Sequence, residues 1–425
     1  MIHLAVISPE GDRADEFAVL GELLRLGLKR YHVRKPGWSE ERLARWIETA
    51  DPAWRPRLVI HSHHRLAEAF GVGGVHGPEL GAGQAAPGLW RSRSCHSLPE
   101  VERAAREGAC DSVFFSPVFA SASKPGRKGF TGDEFARFAA WKRSRPAAAL
   151  QVLALSGVTP ERVTDCRRAG FDGVAVMGGI WNAVDPVRAF AAYRRAVLPP
   201  VMCLTQDGLE LSHEEQARRL CGAGAKWVQL RMKGADEATW LRTARDFVAI
   251  CRAHGAIGIV NDGVDIALAA GAAGVHLGAE DGDWRAARAA LGPARILGGT
   301  VNDAAAARRA VAAGCLDYAG VGPLRFTSNK ARLAPLLGVE GIGEVVAVMP
   351  GLPAWAIGGV EAGDVSDLLA AGAAGVAVSS CLYRGGTVEE NYRRLEEAAR
   401  ESGVPAASDG EEAAERRCHG AALSS

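Results

Sequence analysis

The sequence predicts an α/β chain of two tandem (β/α)8 TIM barrels, on three observations. The chain is written twice: HSHHRLAEAFGVGGVHG at 61–77 returns as NDGVDIALAAGAAGVHL at 261–277. Further pairs keep the same order, SCHSLPEVERA (94–104) with TVNDAAAARRA (300–310) and GFDGVAVMGG (170–179) with GAAGVAVSSC (372–381). Within a copy, short apolar runs alternate with helical patterns, and eight such units in roughly 200 residues suit a closed parallel barrel. A doubly wound open sheet is the alternative, but strand number and even spacing favour closure.

In the second copy the strand runs are, in order, VMCLT, WVQLR, IGIVN, GVHLG, RILGGT, YAGVG, AWAIGG and GVAVS. Their length and apolar content suit strands buried on both faces. Helical stretches lie between them. HEEQARRLCGAG (213–224) is one, closed by a glycine of the kind that caps helices. Pro199-Pro200 reads as a short stiff linker, which divides the chain into residues 1–198 and 201–402. Residues 403–425 lack periodicity and β-branched residues and read as a disordered tail.

Formal net charge is +1, so nothing electrostatic points to nucleic acid or a membrane surface. The longest apolar runs are too short and glycine-rich to span a bilayer. MIHLAVISPEGD reads as a strand start with no signal peptide, and the nine cysteines show no C-x-x-C or zinc spacing. A cytoplasmic protein with reduced thiols is expected. Homo-oligomerisation is compatible with the sequence.

Catalytic groups of such barrels sit at the carboxyl ends of the strands. In the second copy QLRMKG puts Gln229, Arg231 and Lys233 on one face, an amide and two cations that suit a polyphosphate. The next strand ends in Asn261-Asp262, and the one after continues into Glu280 and Asp281. Carboxylates beside cations suit Mg²⁺ bound to a diphosphate. The loop GPLRFTSNK supplies Thr327, Ser328, Asn329 and Lys330 to an anion. IGGV and VSS end strands seven and eight, where backbone amides form the phosphate site of many barrels. Two anion sites imply transfer of a group with loss of pyrophosphate, Mg²⁺, Arg231 and Lys330 stabilising the departing charge.

QLRMKG, VND, GVHLGAED, GPLRFTSNK, IGGV and VAVSS, in this order, resemble thiamine phosphate synthase, a (β/α)8 enzyme, over about 201–400. The resemblance implies condensation of hydroxymethylpyrimidine diphosphate with hydroxyethylthiazole phosphate, or its carboxylated form, through a dissociative, Mg-dependent reaction. It implies that Gln229, Arg231, Lys233, Asn261 and Lys330 hold the pyrimidine diphosphate and that Asp262 and Asp281 hold Mg²⁺. Thr300 takes the place of a family serine that contacts the pyrimidine. Thr327, Ser328, Asn329, Gly359, Ser379 and Ser380 would hold the thiazole phosphate. Ala279, Asn329 and Ser379 depart from the family's usual Gln, Thr and Ile. Another phosphate-binding barrel, such as a tryptophan-pathway enzyme, is the runner-up. It would have no need of the carboxylate pair.

The first copy is altered. His32 stands for Gln229, Arg34 matches Arg231, and Pro36 stands for Lys233. His61-Ser62 replaces Asn261-Asp262, and the place of Asp281 falls near Gly81. A Mg-diphosphate site is therefore not expected there. Gly157, the MGG at 177–179, Ser121, Ser123 and Lys124 are expected to retain the phosphate grip. SCHS-LPE and SPVFASASK resemble the thiazole tautomerase (TenI-type) relatives of the synthase, over about 1–197, and that resemblance implies a catalytic His96. His61, His63 and His64 crowd the third strand end. His61 and His63 share a strand face, but no third metal ligand is evident, and a polar loop is the other reading. The first barrel is thus either an isomerase-like enzyme or a non-catalytic binding or scaffold barrel.

Overall fold

The computed structural model describes residues 3–77, 88–120, 128–144, 150–279, 281–326 and 335–402. They form two closed all-parallel barrels. The first is β1 (His3–Ile7), β2 (Arg30–Val33), β3 (Leu58–Ile60), β4 (Gly74–His76), β5 (Trp90–Cys95), β6 (Ser112–Phe115), β7 (Gln151–Leu155) and β8 (Gly173–Val176). The second is β9 (Val201–Leu204), β10 (Trp227–Leu230), β11 (Ile257–Asn261), β12 (Gly274–Leu277), β13 (Ile296–Val301), β14 (Tyr318–Val321), β15 (Ala354–Ile357) and β16 (Gly375–Val378). Each closes by pairing its first strand with its last, Leu4 beside Val174 and Met202 beside Ala377. All eight strand runs expected of the second copy are present. The tail from 403 lies outside the described residues.

Strand alternation sorts the side chains. On β10, Val228 and Leu230 join the shell packed against the helices, while Trp227 and Gln229 turn inside the barrel. The interior of the second barrel is filled by Met202, Trp227, Ile259, Tyr318 and Trp355. That of the first is thinner, with Ala5, Ile7, Phe114, Leu153 and Ala175, and its remaining volume is shared by His32 and His76, both buried.

Helix ends follow ordinary capping chemistry. Ser212 accepts from the Glu215 amide at the start of His213–Gly222, and Asp236 accepts from Thr239 at the start of Glu237–Ala253. The first of these ends as its sequence suggests, with Gly224 at φ +109° just beyond it. No described helix is long and apolar enough to cross a membrane. The eight described cysteines are free.

The barrels touch at the amino ends of their strands. Arg194, near the end of helix Pro186–Ala196, donates to the carbonyls of Pro293 and Ala294 at 3.0 and 2.9 Å. It also pairs with buried Asp317 at 2.8 Å, which Arg288 holds from the other side at 2.6 Å. Asp317 directly precedes β14, so this contact lies opposite the strand ends where the site residues gather.

Candidate active site

Asp262 and Asp281 come together at the carboxyl end of the second barrel. Asp262 follows β11 in a left-handed conformation, φ +67°, and its amide donates to the His276 carbonyl at 2.8 Å. One oxygen, Oδ2, lies 3.1 Å from Lys233 Nζ. The other, Oδ1, is buried without a partner among the described residues. Asp281 Oδ2 accepts the Gly278 amide at 2.9 Å. A Cβ on Gly278 would stand 2.1 Å from that oxygen and 3.9 Å from Asp262 Oδ1, so only glycine allows the two carboxylates to converge. Burial, and then the neighbouring Asp281, raise the Asp262 carboxyl above its ordinary range, with Lys233 opposing both. A partnerless buried oxygen beside a second carboxylate is a donor set suited to Mg²⁺. The residues therefore fit that ion.

The cations are set by a network anchored in the first turn of the barrel. Thr205 Oγ1 accepts the Arg231 amide at 3.0 Å, and Asp207 Oδ2 accepts the Lys233 amide at 3.1 Å. His213 joins these two acceptors, with Nδ1 2.8 Å from Thr205 Oγ1 and Nε2 3.0 Å from Asp207 Oδ1. His213 lies at a helix start rather than a strand end, so the pattern of strand ends does not point to it.

Asn261, Thr300 and Gln229 are buried at the top of the barrel interior. Gln229 Nε2 rests 3.5 Å from Met202 Sδ. Thr300 Oγ1 is 3.0 Å from His276 Nε2, whose Nδ1 is 2.9 Å from the Tyr318 hydroxyl. His276 was visible only as the repeated Gly-Val-His.

A cavity of about 250 Å³ opens beside this group, lined by Arg231, Arg325, Gly359, Ser379, Ser380 and Arg384 among others. Arg231 thus lines this cavity, two residues before Lys233, which pairs with Asp262. Gly358 and Gly359 are both left-handed, φ +94° and +77°, and a Cβ on Gly359 would come within 2.5 Å of Arg325 Cγ. Arg325 donates to the Gly359 carbonyl at 3.0 Å and is paired with Asp364 at 2.6 Å. Ser379 Oγ donates to Gln206 at 3.3 Å. Arg325 and Arg384 were not singled out from sequence. Arg325 lies inside the quoted loop, and Arg384 lies beyond the last motif. Thr327, Ser328, Asn329, Lys330 and Glu280 lie outside the described residues.

The first barrel shows the substitutions in place. Ser8 takes the role of Thr205, accepting the Arg34 amide at 2.8 Å. At the place of His213 stands Glu16, ion-paired with buried Lys35 at 2.6 Å. The Arg325–Asp364 pair is replaced by Phe119 and Arg162, a guanidinium 4.8 Å from a ring, and Arg162 donates to the Gly157 carbonyl at 3.1 Å. His96 is exposed at the end of β5, its Nδ1 3.1 Å from the Ser116 carbonyl. His63 and His64 serve local structure, reaching the carbonyls of Trp38 at 2.9 Å and His76 at 3.1 Å. His61 instead meets His32, Nε2 to Nδ1 at 3.1 Å, and stacks on His76. Gly81, Ser121, Ser123 and Lys124 lie outside the described residues.

The family model described as thiamine monophosphate synthase matches this chain twice, over residues 4–180 and 201–382. The chain belongs to that family. Two thiamine monophosphate synthase-like barrels are joined in one polypeptide, and the relatives have the size of one of them. The thiamine-phosphate synthase of Myxococcus xanthus is 45% identical over 200 residues, 47% of this chain and 91% of its own. That of Bacteroides fragilis is 37% identical over 196 residues, 45% of this chain and 96% of its own. Among solved structures, the thiamine phosphate pyrophosphorylase of Pyrococcus furiosus is 29% identical, with a TM-score of 0.44, covering 48% of this chain and 96% of that one.

Proposed function

We propose that the second barrel is a thiamine phosphate synthase, joining hydroxymethylpyrimidine diphosphate to hydroxyethylthiazole phosphate, or its carboxylated form, with release of pyrophosphate. The observation that carries this reading is the convergence of Asp262 and Asp281 over Gly278, with Lys233 paired to Asp262 and Arg231 lining the cavity beyond. Mg²⁺ bound by Asp262 and Asp281 would neutralise charge on the diphosphate and ease its departure. Lys233 and Arg231 face the same anion, and the network through His213 holds their backbones in place before substrate arrives. Gln229, Asn261 and Thr300 present amide and hydroxyl groups to a heterocycle at the barrel top. Gly359, Ser379 and Ser380 receive the acceptor's phosphate, and Lys330, Thr327, Ser328 and Asn329, outside the described residues, are the further anion-binding groups of the sequence motif. Bringing both ends into one pocket supplies orientation that free solution lacks. Purified chain incubated with both precursors and Mg²⁺ should release one pyrophosphate per thiamine phosphate. Absence of both products from folded protein would reject the reading.

For the first barrel we propose a proton-transfer role at His96, acting on a phosphorylated thiazole tautomer. The Ser116 carbonyl 3.1 Å from Nδ1 favours the tautomer protonated there, with Nε2 as the base, and the Ser116 hydroxyl stands 3.4 Å from the same nitrogen. This tautomer supports an isomerase over a passive scaffold. His96→Ala should abolish conversion of the carboxylated tautomer to its aromatic form while leaving synthesis from the aromatic thiazole intact. Unchanged isomerisation in the variant would favour the scaffold.

A further inference from the structure

His32, His61 and His76 form a cluster that neither barrel's proposed reaction uses. They come from three neighbouring strand ends, β2, β3 and β4, and their ring nitrogens offer ligand atoms all within 4.8 Å of one another. His32 Nδ1 and His61 Nε2 are 3.1 Å apart, and the rings of His61 and His76 lie parallel with centroids 4.1 Å apart. Two nitrogens bound to one tetrahedral zinc at about 2.0–2.1 Å stand roughly 3.3 Å from each other. The first pair is close to that spacing, and the third imidazole must turn from its stacked position on His61 to complete the set.

Local chemistry selects nitrogen as the donor. The second barrel carries Gln229, Asn261 and His276 at the same three places, so two of its three residues are imidazoles only in the first barrel. The adjoining Asp262 is Ser62 here. Three clustered imidazoles suit a borderline-soft transition metal rather than Mg²⁺. His76 has serine hydroxyls at both nitrogens, Ser92 at 2.9 Å and Ser94 at 3.1 Å. Ligation displaces one hydroxyl, and the other keeps the ring oriented. His32 and His76 are buried while His61, just beyond the carboxyl end of β3, is half-buried.

We propose that the first barrel binds one divalent transition-metal ion of the zinc class through His32, His61 and His76, with a fourth position open to the mouth. The site is independent of the reaction assigned to the second barrel. The test uses untagged, chelator-treated full chain carrying Asp262→Asn and Asp281→Asn, which removes the oxygen-ligand site, titrated with Co²⁺. One equivalent should bind with the visible absorption of four-coordinate, nitrogen-ligated Co²⁺, and Zn²⁺ should displace it. His32→Gln and His61→Asn, which install the second barrel's residues, should each weaken binding at least tenfold, with folding followed by thermal melts. His63→Ala should bind as before. Failure of the parent chain to bind Co²⁺, or binding that His32→Gln and His61→Asn both leave unchanged, would overturn the site.

Discussion

Asp262 carries a conflict between stability and function. Its carboxylate is buried, close to Asp281, and has one oxygen with no partner. A neutral isostere relieves the desolvation and the like-charge contact, and asparagine tolerates the left-handed backbone at this position. Asp262→Asn should therefore leave the melting temperature unchanged or higher while lowering thiamine phosphate formation at least ~100-fold. A comparable loss of both would mean that the carboxylate is structural. Gly278→Ala tests the same pair from the backbone side. Its methyl would lie 2.1 Å from Asp281 Oδ2, so Asp281 must swing away, and turnover should fall with little change in fold. Steady-state rates at saturating substrate, beside circular dichroism, read both outcomes.

At the scale of elements, the strand ends were legible and their supports were not. Gln229, Arg231, Lys233, Asn261 and Asp262 could be read because each directly ends or follows an apolar strand run. His213, Arg325 and Arg384 could not, since they act from helix starts and loops and reach the site only through folding. The trio of His32, His61 and His76 shows the same limit more sharply. Its members come from three separate strands, and the adjacent His63 and His64, which drew attention as a cluster, turn to backbone carbonyls instead. Element placement was more legible than contacts, because the period of apolar runs reports burial directly. His213 is a positioning residue in this account. His213→Ala should raise KM for the pyrimidine diphosphate more than it lowers kcat, because Arg231 and Lys233 remain while the Thr205 and Asp207 acceptors of their amides lose the imidazole that links them. His213→Asn should recover part of the loss.

At the scale of the whole molecule, the barrels meet at the amino ends of their strands and the sites occupy the opposite ends. Asp317 joins them, held by Arg288 within its own barrel and by Arg194 from the other. Asp317→Ala leaves two largely buried arginines with backbone carbonyls but no carboxylate to balance their charge and should cost about 3 kcal/mol, seen as a lower urea midpoint, with activity of the remaining folded protein retained. Residues 201–402 alone keep the Arg288 half of that contact and should still make thiamine phosphate.

The division of labour itself is tested most directly by pyrophosphate release from the full chain carrying Asp262→Asn and Asp281→Asn, with both phosphorylated precursors and Mg²⁺. The first barrel has no such carboxylate pair among its described residues, so release should fall to the background of a no-enzyme control. Release near the parent rate from a folded variant would contradict the account, because turnover would then not depend on the carboxylates that distinguish the second barrel.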